Sequence, residues 1–481
     1  MPETTVKKTH RGLTVVGLVL ALAMSALEAT VVATAMPTVT AELGGIQYYS
    51  WVTNAYLIMS AISVPIFGKL SDLYGRKPIL LAGIFIFLFG SIASGAATTM
   101  PLLIVFRALQ GLGAGAMQPM PLTIIGDIFD LKERAKLQGL FGASWGVFGL
   151  VGPLIGGVIV EHVSWRWVFY MNIPFGIACI TIIMFGLHEN LAKKKPRLDI
   201  LGAFLLAVTV TFLLLTVGRI HEPKAWAWAL ATFACFATFV AVERRAEEPL
   251  FPLSMFQKRV ISLAFLIGAL NGGAMVGILT FVPLYIQGVL GGTPTQAGSS
   301  ITPMLVAWPI ASTVSGRLLA KYGFRPLVLA GTLFTVLAAI LLPIAVTNST
   351  FGLRAVSGIF GLGMGLANTA FVIAVQTSVT TEQRGIATAG TVFFRTIGGA
   401  VAVGVMGGVL VAALATDKTL PLDAASRALT REGISSLGPE IAGRVGALLS
   451  GGLNTVFWMI TALGCVAFIA ALWFPDLKRK T

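Results

Sequence analysis

The chain has 481 residues, 56% of them hydrophobic and only 11% charged, with a mean hydropathy of +0.87. An average soluble chain is about 25% charged, so this one could not cover its own surface with polar groups in water. A cytosolic enzyme, a disordered chain and a secreted disulfide scaffold are excluded, and the net charge of +14 raises the question of where the basic residues sit.

A helix crosses the hydrocarbon in about 20 apolar residues. Spans of that order are expected at 13–36, 51–69, 78–97, 102–126, 137–160, 167–187, 199–218, 225–242, 260–287, 297–319, 326–346, 352–377, 386–412 and 452–475, fourteen in all. Lys7, Lys8 and Arg11, followed by an apolar stretch and Ala33-Thr34-Ala35, have the outline of a signal peptide. The stretch is longer than an h-region of about 7–15 residues, so an uncleaved first span is expected. The charge-free segment 260–316 is divided at Gly288–Gly298, where Gly and Pro interrupt the apolar pattern. Residues 413–451 form a long loop of mixed charge, in which Leu420–Arg431 and Pro439–Leu449 have the pattern of short amphipathic helices. They cap a mouth or lie on the membrane; an inert linker is the other reading. Cys179, Cys235 and Cys465 lie in apolar runs without metal-ligand spacing, and read as small buried residues. The sequon Asn348-Ser349-Thr350 reads as a chance occurrence.

An even number of spans puts both termini on one side. With that side cytoplasmic, 24 of the 34 Lys and Arg residues fall inside, 7 outside, and Arg107, Arg354 and Arg395 within spans. Such a bias is the positive-inside signal, so the basic charge sets topology and no nucleic-acid partner is expected. The expected fold class is an all-α polytopic protein of the inner or plasma membrane.

The two ends of the chain repeat each other. Gly68–Pro78 aligns with Gly316–Pro326 at an offset of 248, Arg107…Gly111 with Arg354…Gly358 at 247, and Glu133-Arg134 roughly with Gln383-Arg384 at 250. Three landmarks in one order imply two parallel six-helix units related by an axis along the membrane normal. The domains expected are therefore a six-helix bundle over 1–188, a two-helix insert over 189–258, and a second six-helix bundle over 259–481 that carries the 413–451 loop.

These features resemble the major facilitator superfamily, specifically its fourteen-helix drug:proton antiporter branch. Gly68–Pro78 is similar to the family's loop between helices 2 and 3, and Leu27–Pro37 (LEATVVATAMP) to the branch's helix 1 motif. Gly146–Gly157 (GVFGLVGPLIGG) resembles the antiporter motif of helix 5, and Trp165–Pro174 (WRWVFYMNIP) the approach to helix 6. The resemblance implies that fold, arranged 6+2+6 and working by alternating access. The branch usually has Asp where this chain has Glu28.

Glu28 is the one acidic residue of twenty placed deep within a span. Intramembrane acids usually face a cavity or pathway. Burial raises a carboxyl pKa in general and a neighbouring cation lowers it, so a cavity that wets and dries in turn would load and release a proton. A neutral Glu hydrogen-bonded between helices is the competing reading. Arg107, mid-span with Gln110 and Gly111 after it, needs a partner; Glu28, Gln110 and backbone carbonyls are candidates. The resemblance links an arginine at this position to proton coupling.

In the helix 2–3 loop, Gly68 and Gly75 allow a tight turn and close approach, and recur in both repeats. Asp72 and Arg76 do not recur, since Ala320 and Phe324 replace them. A cluster of Asp72, Arg76 and Asp127 that forms when the cytoplasmic side closes is the switch hypothesis; a solvated topology signal is the alternative. Gly149, Gly152, Pro153, Gly156 and Gly157 give helix 5 a small face for close packing. The resemblance adds that this face closes against the other half on the outer side and limits proton leak. Asn54, Gln118, Asn271, Asn368 and Gln376, with Met117, Met275, Phe281 and Trp308, are candidates for a largely apolar substrate cavity. For any single Met or Phe, ordinary packing competes with that role.

His10, His162, His188 and His221 lie in loops or at span ends, and no nucleotide-binding loop is present. No catalytic constellation, metal or cofactor is expected; the proton gradient is the expected energy source. The leading expectation is a monomeric, proton-coupled antiporter exporting amphipathic drugs, with small-molecule substrates, protons and membrane lipids as partners. Export of an endogenous lipid or secondary metabolite is the alternative. A non-transporting sensor on a transporter fold is opposed by Glu28 and Arg107.

Overall fold

The computed structural model describes residues 9–129, 131–189, 200–218, 225–246, 253–348, 350–380, 384–417, 419–421, 423–429 and 436–476. Among them the chain is helical, without strands. The α-helices are α1 (Arg11–Leu43), α2 (Tyr49–Tyr74), α3 (Arg76–Gly95), α4 (Met100–Met117), α5 (Pro119–Ile128), α6 (Leu131–His162), α7 (Trp167–Tyr170), α8 (Asn172–Gly186), α9 (Ile200–Gly218), α10 (Ala225–Glu243), α11 (Arg259–Gly288), α12 (Pro294–Tyr322), α13 (Phe324–Asn348), α14 (Thr350–Thr377), α15 (Arg384–Leu414), α16 (Ala424–Arg427) and α17 (Pro439–Leu472). Lys193–Lys195, Ser349 and Gln383 lie outside the described residues, as does the side chain of Asp72.

Every expected span falls on helix, and three boundaries differ from expectation. The fourth span breaks into α4 and α5 at Gln118, because Pro119 and Pro121 remove backbone donors there. The sixth divides at Met171 into α7 and α8. The last helix begins at Pro439 rather than near 452, so the presumed amphipathic piece 439–449 is the start of α17. Gly438 (φ 75°), Pro439 in the first turn and Glu440 close to it are a helix start.

Eleven helical stretches among the described residues are long and apolar enough to cross a membrane by length and composition. The expected spans outside that set lie on α6, α9 and α12. Helix α12 packs between α6 and α14, where Ser315 donates to the Leu366 carbonyl (2.9 Å) and so needs no water. A span sheltered by neighbours can carry polar residues that a lipid-facing one cannot.

The repeat is visible in the backbone. Gly75 (φ 97°) ends α2 and Gly323 (φ 80°) ends α12, each donating its N–H to the carbonyl four residues back. A left-handed turn of that kind favours glycine. Gly68 and Gly316 are different. Both sit inside helices, and a Cβ on either would meet open space.

Packing shows which end of the molecule is shut. At the end formed by the C-terminal parts of α1 and α11, one continuous apolar core joins both halves, including Met36, Tyr49, Phe281 and Ile301. At the opposite end the cores are separate. One holds Leu80, Phe87, Met117 and Ile125 of the first half, the other Ile261, Phe265, Phe371 and Phe474 of the second. Helices α9 and α10 pack on each other, and α9 lies over the seam between α2 and α15.

Candidate functional site

The site is built on close helix approaches. Helix α4 meets α2 at Gly111, where a Cβ would collide with the Tyr56 carbonyl, and α3 at Gly90, where it would meet the Gln110 backbone at 2.5 Å. These contacts turn the Arg107 face of α4 toward α1. Arg107 and Glu28 are each 2% exposed, and the Arg107 Nη1 donates to Glu28 Oε1 in a buried ion pair. Such a pair holds only when the remaining donors and acceptors are also satisfied.

Here they are. Asn172 at the start of α8 donates to Glu28 Oε2 (2.9 Å). Arg107 donates to Gln110 Oε1 (2.6 Å) and to the Val52 carbonyl (3.5 Å). Its guanidinium lies 4.3 Å from the centre of the Tyr56 ring. Ser91 of α3 accepts from Asn172 (3.0 Å) and Gln110 (3.2 Å) and donates to the Phe169 carbonyl (2.9 Å). One network thus ties α1, α2, α3, α4, α7 and α8 around a single carboxylate.

The pair faces a cavity of about 90 Å³ between the halves. Glu28, Tyr56 and Arg107 form one wall; Met275, Val276, Leu279, Leu305 and Trp308 form the apolar wall opposite. The Tyr56 hydroxyl is buried without a hydrogen-bond partner. Such an arrangement can hold an apolar body against one wall and a polar group or proton at the other.

The sequence-based candidates are distributed as follows. Glu28, Arg107, Met275 and Trp308 come together in this cavity. Asn54 lines a different one. Met117 is packed in the core of the first half, and Phe281 lies 6.3 Å from Tyr49, centroid to centroid, in the core shared at the closed end. Asn271 bonds Thr335 (3.5 Å) and Gln376 bonds Thr388 (3.1 Å), both within the second half. Gln118 occupies the α4–α5 break, and Asn368 is half-buried on α14. Arg395 stands 5.7 Å over the Trp308 ring. The sequence reasoning missed Tyr56 and Ser91, and quoted Asn172 only within a motif.

The glycine face of α6 serves two partners. A Cβ at Gly152 or Gly156 would strike Thr30 or Thr34 of α1, in the same half. Gly157 meets Thr295 of α12, Gly298 of α12 meets the Pro153 carbonyl, and Gly146 meets Pro309 of α12, so the cross-half contacts belong to those residues. Gly149 is buried on the same helix. Thr295 also donates to Glu161 (2.6 Å) at this end.

In the helix 2–3 loop, Arg76 Nε pairs with Asp127 Oδ2 at 3.2 Å and its Nη1 bonds Ser71 (2.6 Å). Glu189 accepts from the backbone N–H groups of Arg76 (2.8 Å) and Lys77 (3.0 Å), capping α3. Lys77 Nζ returns the contact to the carbonyls of Met184 and Leu187 at the end of α8. The Arg76–Asp127 pair lies within one half and exists while the halves have separate cores at this end. The expected cluster also includes Asp72, whose side chain lies outside the described residues, so the switch remains a proposal.

Comparison with known proteins gives a consistent result. The family profile described as Major Facilitator Superfamily matches residues 18–403. The multidrug transporter protein MdtP of Bacillus subtilis is 38% identical over 90% of this chain and 83% of its own. Multidrug resistance protein 3 of the same organism is 35% identical over 85% and 81%. A solved bacterial homolog of the human lysosomal transporter Spinster, inward-facing and occupied, aligns at a TM-score of 0.69, 14% identity and 97% of both chains, a likeness of fold alone.

Proposed function

The chain belongs to the Major Facilitator Superfamily, a family of transporters, and on that premise we propose that it is a fourteen-span, proton-coupled antiporter that exports amphipathic drugs from the cytoplasm. Export of drugs is supported by its relatives, a multidrug transporter and a multidrug resistance protein of Bacillus subtilis. Proton coupling is supported by one observation: a buried Glu28–Arg107 pair that borders the cavity between the halves.

The network tolerates two protonation states. With Glu28 ionised, Arg107 and Asn172 hold it. With Glu28 protonated, Arg107 keeps Gln110, the Val52 carbonyl and the Tyr56 ring, and Asn172 stays beside the neutral carboxyl. Loss of the ion pair frees α1 from α4, and α1 is a helix that also touches α11 and α12 of the other half. Proton binding therefore acts on a helix common to both halves, which is what a change of the open side requires. A substrate amine takes the place of the proton or of Arg107 at the same carboxylate, so drug and proton exclude each other. One proton moving down 100 mV supplies about 2.3 kcal/mol, roughly a fiftyfold gradient of a neutral drug.

With the charge-rich end cytoplasmic, the structure corresponds to the state open to the cytoplasm. Gly157 and Thr295 shut the outer end, and Gly68 and Gly316 have free space because their end is open. A pump-deficient bacterial host expressing the wild type should grow on a panel of toxic cationic and neutral amphipaths where the empty host does not. The Glu28→Gln protein, at equal membrane abundance, should give no protection against the cations. Equal protection by both would overturn the role of Glu28.

A further inference from the structure

A second and larger cavity lies in the side of the molecule. Its volume is about 490 Å³, within the range of about 300–1,000 Å³ that holds a drug-sized ligand. It occupies the seam between α2 and α15 toward the closed end, bordered by Ile104 of α4 and Leu215 of α9, and shares no lining residue with the Glu28 cavity. Next to Ile104, Leu102 and Val105 are 44% and 61% exposed. Large exposed apolar side chains on a membrane helix face lipid, so the seam is reached from the bilayer.

Gly404, Gly407 and Gly408 of α15 line it, and a Cβ on Gly407 would strike the Ser50 hydroxyl, so α15 and α2 approach closely here. A row of small residues alone would say only that helices pack closely. The second observation is Asn54. It is 1% exposed, it lines this cavity, and its Oδ1 has no hydrogen-bond partner. A buried amide oxygen without a donor carries an uncompensated desolvation cost, which a ligand donor removes. The amide offers one acceptor and one donor group, so it matches a hydroxyl or an amide. Among the described residues no charged side chain lines the cavity, and a charged ligand would find no partner among them.

We infer that the α2–α15 seam is a binding site for neutral, apolar molecules bearing a hydroxyl or amide, anchored by Asn54 and entered from the membrane. The site does not depend on the proton-coupled export proposed above. It is read by binding, so failure of either idea leaves the other standing.

The test is equilibrium binding of two tritiated probes to the full-length protein in lipid nanodiscs. The probes are androstanol and its parent hydrocarbon androstane, a neutral pair that differs by one hydroxyl. The wild type should bind the alcohol about tenfold more tightly, the effect of one hydrogen bond to a buried, otherwise unpaired group. Asn54→Leu, similar in size, should keep the affinity for the hydrocarbon and erase the preference. Ala412→Phe fills the cavity from α15 and should weaken both probes by tenfold or more. Glu28→Gln, in the other cavity, should change neither. No saturable binding of the alcohol, no preference in the wild type, a preference that survives Asn54→Leu, undiminished binding by Ala412→Phe, or loss of binding in Glu28→Gln would each overturn the inference.

Discussion

At the scale of single residues, the molecule pairs two buried membrane charges, Glu28 and Arg107, with each other. Glu28 and Arg107 are both nearly inaccessible, and each has hydrogen-bond partners besides the other. Removing one member of a buried pair leaves an uncompensated charge and costs about 3–5 kcal/mol, whereas removing both costs much less. Arg107→Gln should therefore lower thermal stability in detergent more than the double variant Glu28→Gln/Arg107→Gln does. A double variant less stable than Arg107→Gln alone would show that the pair is not what the arginine supports. Glu28 was legible in the sequence because a carboxylate in an apolar run is costly and therefore conspicuous. Asn172 and Ser91 were not, since small polar residues are common in membrane helices. Their meeting joins positions 81 residues apart in the chain, and only packing reveals it. Tyr56 was hidden for the same reason, as an aromatic among thirty Phe and seven Tyr.

At the scale of elements, glycine and proline positions decide how helices meet. Gly157 allows α6 to reach Thr295 of α12 at the closed end, and Gly68 has open space at the other. Gly157→Leu should hold the first end apart and raise labelling of a cysteine placed at Thr295 by a membrane-impermeant maleimide. Gly68→Leu should leave that labelling low and suppress transport, because it obstructs closure of the opposite end. Identical labelling in both variants would contradict this division. The segment before α17 is tied differently. Asp417 accepts from the backbone N–H and hydroxyl of Thr419 and pairs with Arg444 of α17. Those hydrogen bonds, with the arginine charge adding to them, hold its carboxyl below the usual carboxylate range. A depressed value means the tether is fully present above the ordinary carboxylate pKa, about 3.9, and is lost as pH falls below it. Amide exchange at residues 413–417, measured by mass spectrometry and divided by the intrinsic exchange rate at each pH, should quicken as pH falls below about 3.9, and Asp417→Asn should remove that response. The repeated loop was legible because glycine at a left-handed turn leaves a mark at a fixed spacing, as Gly75 and Gly323 do. The start of α17 was less legible, because residues 439–449 are mixed in polarity and only the Gly438-Pro439 step marks the boundary.

At the scale of the whole molecule, one apolar core joins the halves at one end and two cores lie apart at the other, the asymmetry on which the proposed alternating access rests. Composition and the periodic apolar runs made the helical membrane architecture visible, and the uneven spread of Lys and Arg supplied an orientation. The conformational state was not legible, since one sequence serves every state of a transport cycle. The cavity lining was only partly so, because Met275 and Trp308 line it while Met117 and Phe281, the same kinds of residue, are ordinary core. The central claim is that Glu28 couples drug movement to a proton. It is tested most directly in proteoliposomes holding the purified protein with the outward-facing side exposed to an acid medium and ethidium inside. The wild type should release ethidium faster when the pH gradient is imposed and acidify the lumen in step with release. Glu28→Gln should bind ethidium more weakly and, even at saturating ethidium, show neither the acceleration nor the acidification. Gradient-driven release and proton uptake by Glu28→Gln at the wild-type rate would contradict the account.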